Sequence, residues 1–211
     1  MRKSKKFRYK VYNGRLIKER FENSRIYMLA VMFVAGILIG AISIKNTDSA
    51  IINELCTIVD GYKSMRQNIG FIRNFTSSLS VSLSFCLFSV FLGFSLIGYP
   101  FLLWVPLARG LAIGTVCGYL YSAYKLSGLG FAVLTLYPGA IISVTALIIS
   151  CNESCTYSKN AYQKAIGSKG QFERGETKLF LLRQTICLAA CAFSSLIDAT
   201  VAKAFSNIFT F

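Results

Sequence analysis

The chain has no histidine among its 211 residues and only nine acidic side chains. Without imidazole no Ser-His-Asp or Cys-His arrangement can form, and the commonest zinc ligand and proton shuttle is missing. Charged residues of both signs amount to 15%, against about 25% in a soluble domain, so too little polar surface exists to cover a water-facing exterior. An ordinary cytosolic enzyme is excluded on these absences.

Present instead are 23 Lys and Arg residues, a formal net charge of +14, 54% apolar residues and a mean hydropathy of +0.53. A nucleic-acid binder spreads its basic residues over a folded face. With so little total charge, the basic residues here must be concentrated in one place and the remainder must lie out of water, so no nucleic-acid partner is expected.

A membrane-spanning helix needs about 20 mostly apolar residues. Residues 26–44 form the first such run, bounded by Arg25 and Lys45. The uncharged stretch 74–108 is too long for one span. Gly98-Tyr99-Pro100 breaks it, because proline lacks an amide donor and pushes its predecessor out of helix. Spans are therefore predicted at 77–97 and 101–124, then a glycine-bearing turn from Lys125 to Gly130, a span at 131–150, and a fifth at 179–202 that contains Arg183 and Asp198. The fold class is all-α: a single polytopic membrane domain of five transmembrane helices, with a basic tail (1–25), an outer loop (45–76) and a cytoplasmic loop (151–178).

Orientation follows from the basic residues outside the spans. The tail holds ten and the 151–178 segment five, whereas the outer loop holds four and two more, Lys125 and Lys203, fall on the same side. N-in, C-out is the predicted topology. A basic region before an apolar run also fits a signal peptide, with Ala41-Ile42-Ser43 as a weak cleavage site, but 19 apolar residues exceed the usual signal core. The segment is read as a retained span. The tail serves as an orientation signal and as a patch for anionic headgroups of the bilayer, with Phe7, Tyr9 and Tyr12 beside it.

Within the spans, Gly36 and Gly40, and then Gly110, Gly114 and Gly118, recur every fourth residue and so share one helix face. Bare backbones at such faces let helices approach closely in lipid. Internal packing is the first reading, a homo-oligomer face the second. Seven serines between Ser77 and Ser95 form two stripes, Ser77/Ser80/Ser84/Ser95 and Ser78/Ser82/Ser89, read as helix packing with a polar permeation path as the rival. Arg109 and Asp198 are intramembrane charges of opposite sign, each a functional hypothesis by default. Their depths differ, so Arg109 is expected to snorkel past Trp104, and Asp198 to meet outer water near Lys203.

The seven cysteines form no framework. Cys86, Cys117, Cys187 and Cys191 lie in spans, Cys151 and Cys155 are expected at the cytoplasmic face, and Cys56 alone faces outward. Cys187-x3-Cys191 has ligand-like spacing but no further polar ligand nearby, so no metal, cofactor or catalytic residue is assigned. The outer loop carries more than a connection. After Asp48, a plausible N-cap, Ile51, Ile52, Leu55, Ile58, Val59 and Tyr62 fall on one helical face. Ile51, Leu55, Ile58 and Tyr62 are the candidate partner-binding residues of this amphipathic helix.

In order, the landmarks are a basic tail, an isolated first span, a Gly-Tyr-Pro break at 98–100, Arg109-Gly110 followed by Gly114 and Gly118, Gly128-x-Gly130 and then Pro138. This series resembles the stage II sporulation protein M family of endospore-forming bacteria, five-span membrane proteins. Its relatives carry a basic residue before the first of these glycines, here Arg109. They carry polar amides after the proline, where this chain has Gly139-Ala140. The resemblance implies a non-enzymatic scaffold in forespore engulfment. It implies two peptidoglycan-degrading partners, a lytic transglycosylase and an amidase/endopeptidase, at the septal and engulfing mother-cell membrane. A small transporter or channel component using Arg109 and Asp198 is the alternative function. Against it stands the lack of an internal repeat, since five spans do not divide into two equal halves.

Overall fold

The structure is a computed structural model that describes residues 24–44, 71–95, 97–135, 137–165 and 174–205. Five helices among them are long and apolar enough to cross a membrane, and no strand is present among the described residues. The outer-loop face of Ile51, Leu55, Ile58 and Tyr62, the basic tail before Ser24 and Cys56 all lie outside the described residues.

Helix α1 spans Ser24–Ile44 and α2 spans Phe71–Phe94. At the end of α2 the Ser95 amide donates to the Leu92 carbonyl (3.1 Å) and the Gly98 amide to the Ser95 carbonyl (3.2 Å), turning the chain at once. A side chain at Gly98 would collide with the Leu92 carbonyl oxygen, so the turn needs glycine there. A short helix α3 (Gly98–Leu102) follows, joined through Leu103 in helical conformation to α4 (Trp104–Thr135). Gly-Tyr-Pro thus stands inside a turn and at the start of the next span. The segment 101–108 is the first part of that span and helical apart from the turn at Leu103.

Helix α4 is kinked at Lys125, whose backbone takes φ 50°. A non-glycine residue in that region is held against its own preference, and the kink falls at the end predicted for the third span. The fourth span departs from the expected 131–150. Helix α5 runs Tyr137–Ala165, starting where Pro138 sits in the first turn, a position that needs no amide donor. Proline therefore opens this helix instead of lying inside it. At the other end, residues 151–165 continue the same helix through the expected cytoplasmic loop, whose polar composition reads as a flexible linker or a short separate surface helix. The cause is tertiary: Cys151, Ser154, Cys155, Ser158 and Ala161 form a buried face, and small residues at that spacing seat α5 against its neighbours. Cys151 and Cys155 are buried between the helices at this end of α5. Helix α6 covers Arg174–Phe205, beginning before the predicted 179.

The helices form two packed groups. Helices α2, α5 and α6 pack most closely together, while α1 and α4 pair and lean on α5. Their cores meet in a cluster of Leu29, Val105, Leu147 and Cys151 and in a second of Ile113, Cys117, Tyr119, Leu120 and Val144. A third, of Cys86, Ala146, Cys187 and Cys191, fills the three-helix group.

Candidate functional site

The α1–α4 contact is a seam of bare backbone. A Cβ at Gly36 would strike the Leu107 carbonyl oxygen, and one at Gly40 that of Leu111. From the other side, Gly110 faces Phe33, Gly114 faces Ile37, and Gly118 faces Ala41. All five glycines picked out by their spacing thus meet in one interface inside the chain, where backbone approach supplies the van der Waals contact that lipid-embedded helices depend on.

The α2–α5–α6 group is held by a polar seam. Ser150 Oγ donates to Gln184 Oε1 at 2.6 Å, since an amide oxygen only accepts. The same Ser150 oxygen also lies 2.6 Å from the Ser89 hydroxyl and accepts from the Cys86 thiol (3.5 Å), and Ser89 bonds back to the Cys86 carbonyl at 2.8 Å. Gln184 Nε2 donates to the Ser150 carbonyl and to Ser154 Oγ, each at 3.1 Å. One glutamine thereby ties itself into α5 by three bonds, and Ser89 adds α2. Farther along, Ser158 donates to the Ser95 carbonyl at 2.8 Å, and Ser194 donates to the Gly139 carbonyl at 2.6 Å. Polar groups bonded across the helices in this way fix the register of all three. Sequence spacing missed Gln184, which carries no periodic signal of its own.

The two serine stripes separate cleanly. Ser77, Ser80, Ser84 and Ser95 are exposed, whereas Ser82 and Ser89 are buried and Ser78 is half-buried. The outer ones need no neighbour: Ser84 bonds back to the Ser80 carbonyl at 2.8 Å. The inner ones reach across. Ser78 donates to Asp198 Oδ2 at 3.2 Å, and the same carboxylate lies directly against Gly139 in the first turn of α5. A carboxylate there complements the positive end of the helix dipole. Asp198 is therefore built into the α2–α5–α6 junction and is half-buried there.

Arg109 turns inward to α2. Its guanidinium carbon lies 5.4 Å from the centroid of the Phe85 ring, within cation–π range. Phe85 is seven residues along α2 from Ser78, about 10 Å at the α-helical rise, so the two charges occupy different levels of the bundle.

One further polar feature sits at the opposite end from Asp198. Arg183 Nη1 donates to both carboxylate oxygens of Glu153, at 2.9 and 2.8 Å. Phe94, Tyr157 and Phe180 pack beside the pair, the Tyr157 and Phe180 rings stacked with centroids 4.4 Å apart. No group of three or more metal-ligating side chains is found among the described residues.

A comparison with protein-family models matches residues 29–203 to the model for stage II sporulation protein M. No curated protein and no solved structure matches the chain. Residues 29–203 take in all five apolar helices almost entire, the glycine seam, the polar seam and both intramembrane charges. On that coverage the chain belongs to the stage II sporulation protein M family, a sporulation-related membrane protein.

Proposed function

We propose that this chain is a non-enzymatic membrane scaffold that recruits and positions peptidoglycan-degrading enzymes during endospore engulfment. The partners are a lytic transglycosylase and an amidase/endopeptidase, and the place of action is the septal and engulfing membrane of the mother cell. The observation that carries this reading is the family match over residues 29–203. The packing is compatible with it: interlocked glycines in α1 and α4, and a bonded serine–glutamine seam in α2, α5 and α6, are what a rigid platform needs. The partner-facing patch is assigned to Ile51, Leu55, Ile58 and Tyr62, whose apolar face follows Asp48 in the outer loop.

Affinity purification from sporulating cells tests this. Wild-type chain should co-elute with cell-wall hydrolases. The double substitution Leu55→Glu and Ile58→Glu should abolish that co-elution while membrane insertion stays normal. Undiminished co-elution removes this loop from the scaffold. If Arg109→Gln instead changes ion or solute flux in reconstituted vesicles, the transport reading takes its place.

A further inference from the structure

The ion pair Glu153–Arg183 marks a level in the membrane. Arg183 and Lys203 are 20 residues apart on α6 with Asp198 the sole charge between them, and 20 residues of helix rise about 30 Å, the thickness of the hydrocarbon core. On α5, Glu153 is the first charged residue after Tyr137, about 24 Å along the helix. Both helices thus place the pair where hydrocarbon gives way to headgroups.

At that level the α5–α6 groove opens into a cleft of about 180 Å³. Glu153, Thr156, Tyr157, Asn160, Phe180 and Arg183 line it. Its aromatic wall is preformed, because Tyr157 is stacked on Phe180 and its hydroxyl lies 3.1 Å from Thr177 Oγ1. The Arg183 side chain is 56% exposed and that of Glu153 23%, so a ligand reaches both charges. One turn toward the membrane centre, on the same faces, are the exposed Ile149 and Ile186.

We propose that this cleft binds the headgroup of a phospholipid carrying a primary ammonium, of the phosphatidylethanolamine type. The ammonium is received by Glu153, the phosphodiester by Arg183, and the acyl chains run down past Ile149 and Ile186. The charge balance selects the headgroup. A cleft with one carboxylate beside one guanidinium matches a zwitterion, whereas an anionic headgroup meets the Glu153 charge. The polar side chains around Glu153, the Thr156 hydroxyl and the Asn160 amide oxygen, are hydrogen-bond acceptors. They suit an ammonium with three N–H donors, and a quaternary choline has none to offer.

The test uses the full chain in detergent, titrated with short-chain phosphatidylethanolamine, phosphatidylcholine and phosphatidylglycerol of one acyl length, with binding counted by native mass spectrometry. Phosphatidylethanolamine should bind as one equivalent, about tenfold or more tighter than the other two, as the loss of one charge-assisted bond implies. Glu153→Gln should remove that preference and leave the two weaker affinities unchanged. Equal affinity for the three headgroups in the wild-type chain overturns the proposal, and this comparison stands even if the variant fails to fold. So does an undiminished preference in Glu153→Gln. Glycerophosphoethanolamine binding as tightly as the lipid would show a soluble ligand and overturn the lipid assignment.

Discussion

At the scale of single residues, the tightest constraint lies between Gly139 and Asp198. The carboxylate occupies the space a Cβ at 139 would take, and Ser78 holds it from the other side at 3.2 Å. Gly139→Ala should therefore cost about 1–3 kcal/mol, the range for overpacking a close contact. Removing the carboxylate removes the collision, so in an Asp198→Ala background the same glycine substitution should cost less than about 0.5 kcal/mol. A double-mutant cycle in detergent, followed by denaturant unfolding, measures the difference. Additive costs would mean the two positions do not share this contact. The spacing rules that mark Asp198 as an intramembrane charge give its depth but not its neighbours. Gly139 lies 59 positions away in sequence, and no local pattern links them.

Among the elements, α1 and α4 were the most legible and α5 the least. Fourfold glycine spacing is a local pattern with one physical meaning in lipid, close backbone approach, and both stripes meet in a single seam. That seam predicts that Gly36→Ala and Gly110→Ala each destabilise the bundle by about 1–3 kcal/mol, because the added methyl meets backbone, which cannot rotate away. Gly175→Ala, with open space around it, should be neutral or stabilising by up to about 1 kcal/mol. Comparing denaturant midpoints of the three variants checks this, and a neutral Gly110→Ala would contradict the seam. Helix α5 was harder to read because its boundaries are set by other helices. Pro138 breaks a helix in its interior and begins one at its first turn, and only the chain's path decides which. Cys151, Ser154, Cys155 and Ser158 look like loop polarity in one dimension. In three dimensions they are small, buried side chains of α5, with Ser154 accepting from Gln184 and Ser158 donating to the Ser95 carbonyl.

For the whole molecule, the cysteines report orientation. Of the seven, Cys86, Cys117, Cys151, Cys155, Cys187 and Cys191 are all buried in the helix bundle, where a polar reagent has no access. Cys56 lies in the segment between α1 and α2, on the far side of the first span from the ten basic residues of the tail. If the charge asymmetry orients the chain N-in, C-out, a membrane-impermeant maleimide applied to intact cells should label one site per chain, and Cys56→Ser should abolish the label. Labelling that needs permeabilised cells would invert the topology. It would then carry Glu153 and Arg183 to the outer leaflet and the amphipathic loop to the cytoplasm, where no peptidoglycan is met. The reading of the basic tail as an orientation signal and the scaffold assignment thus share one geometric premise, and this single measurement bears on both.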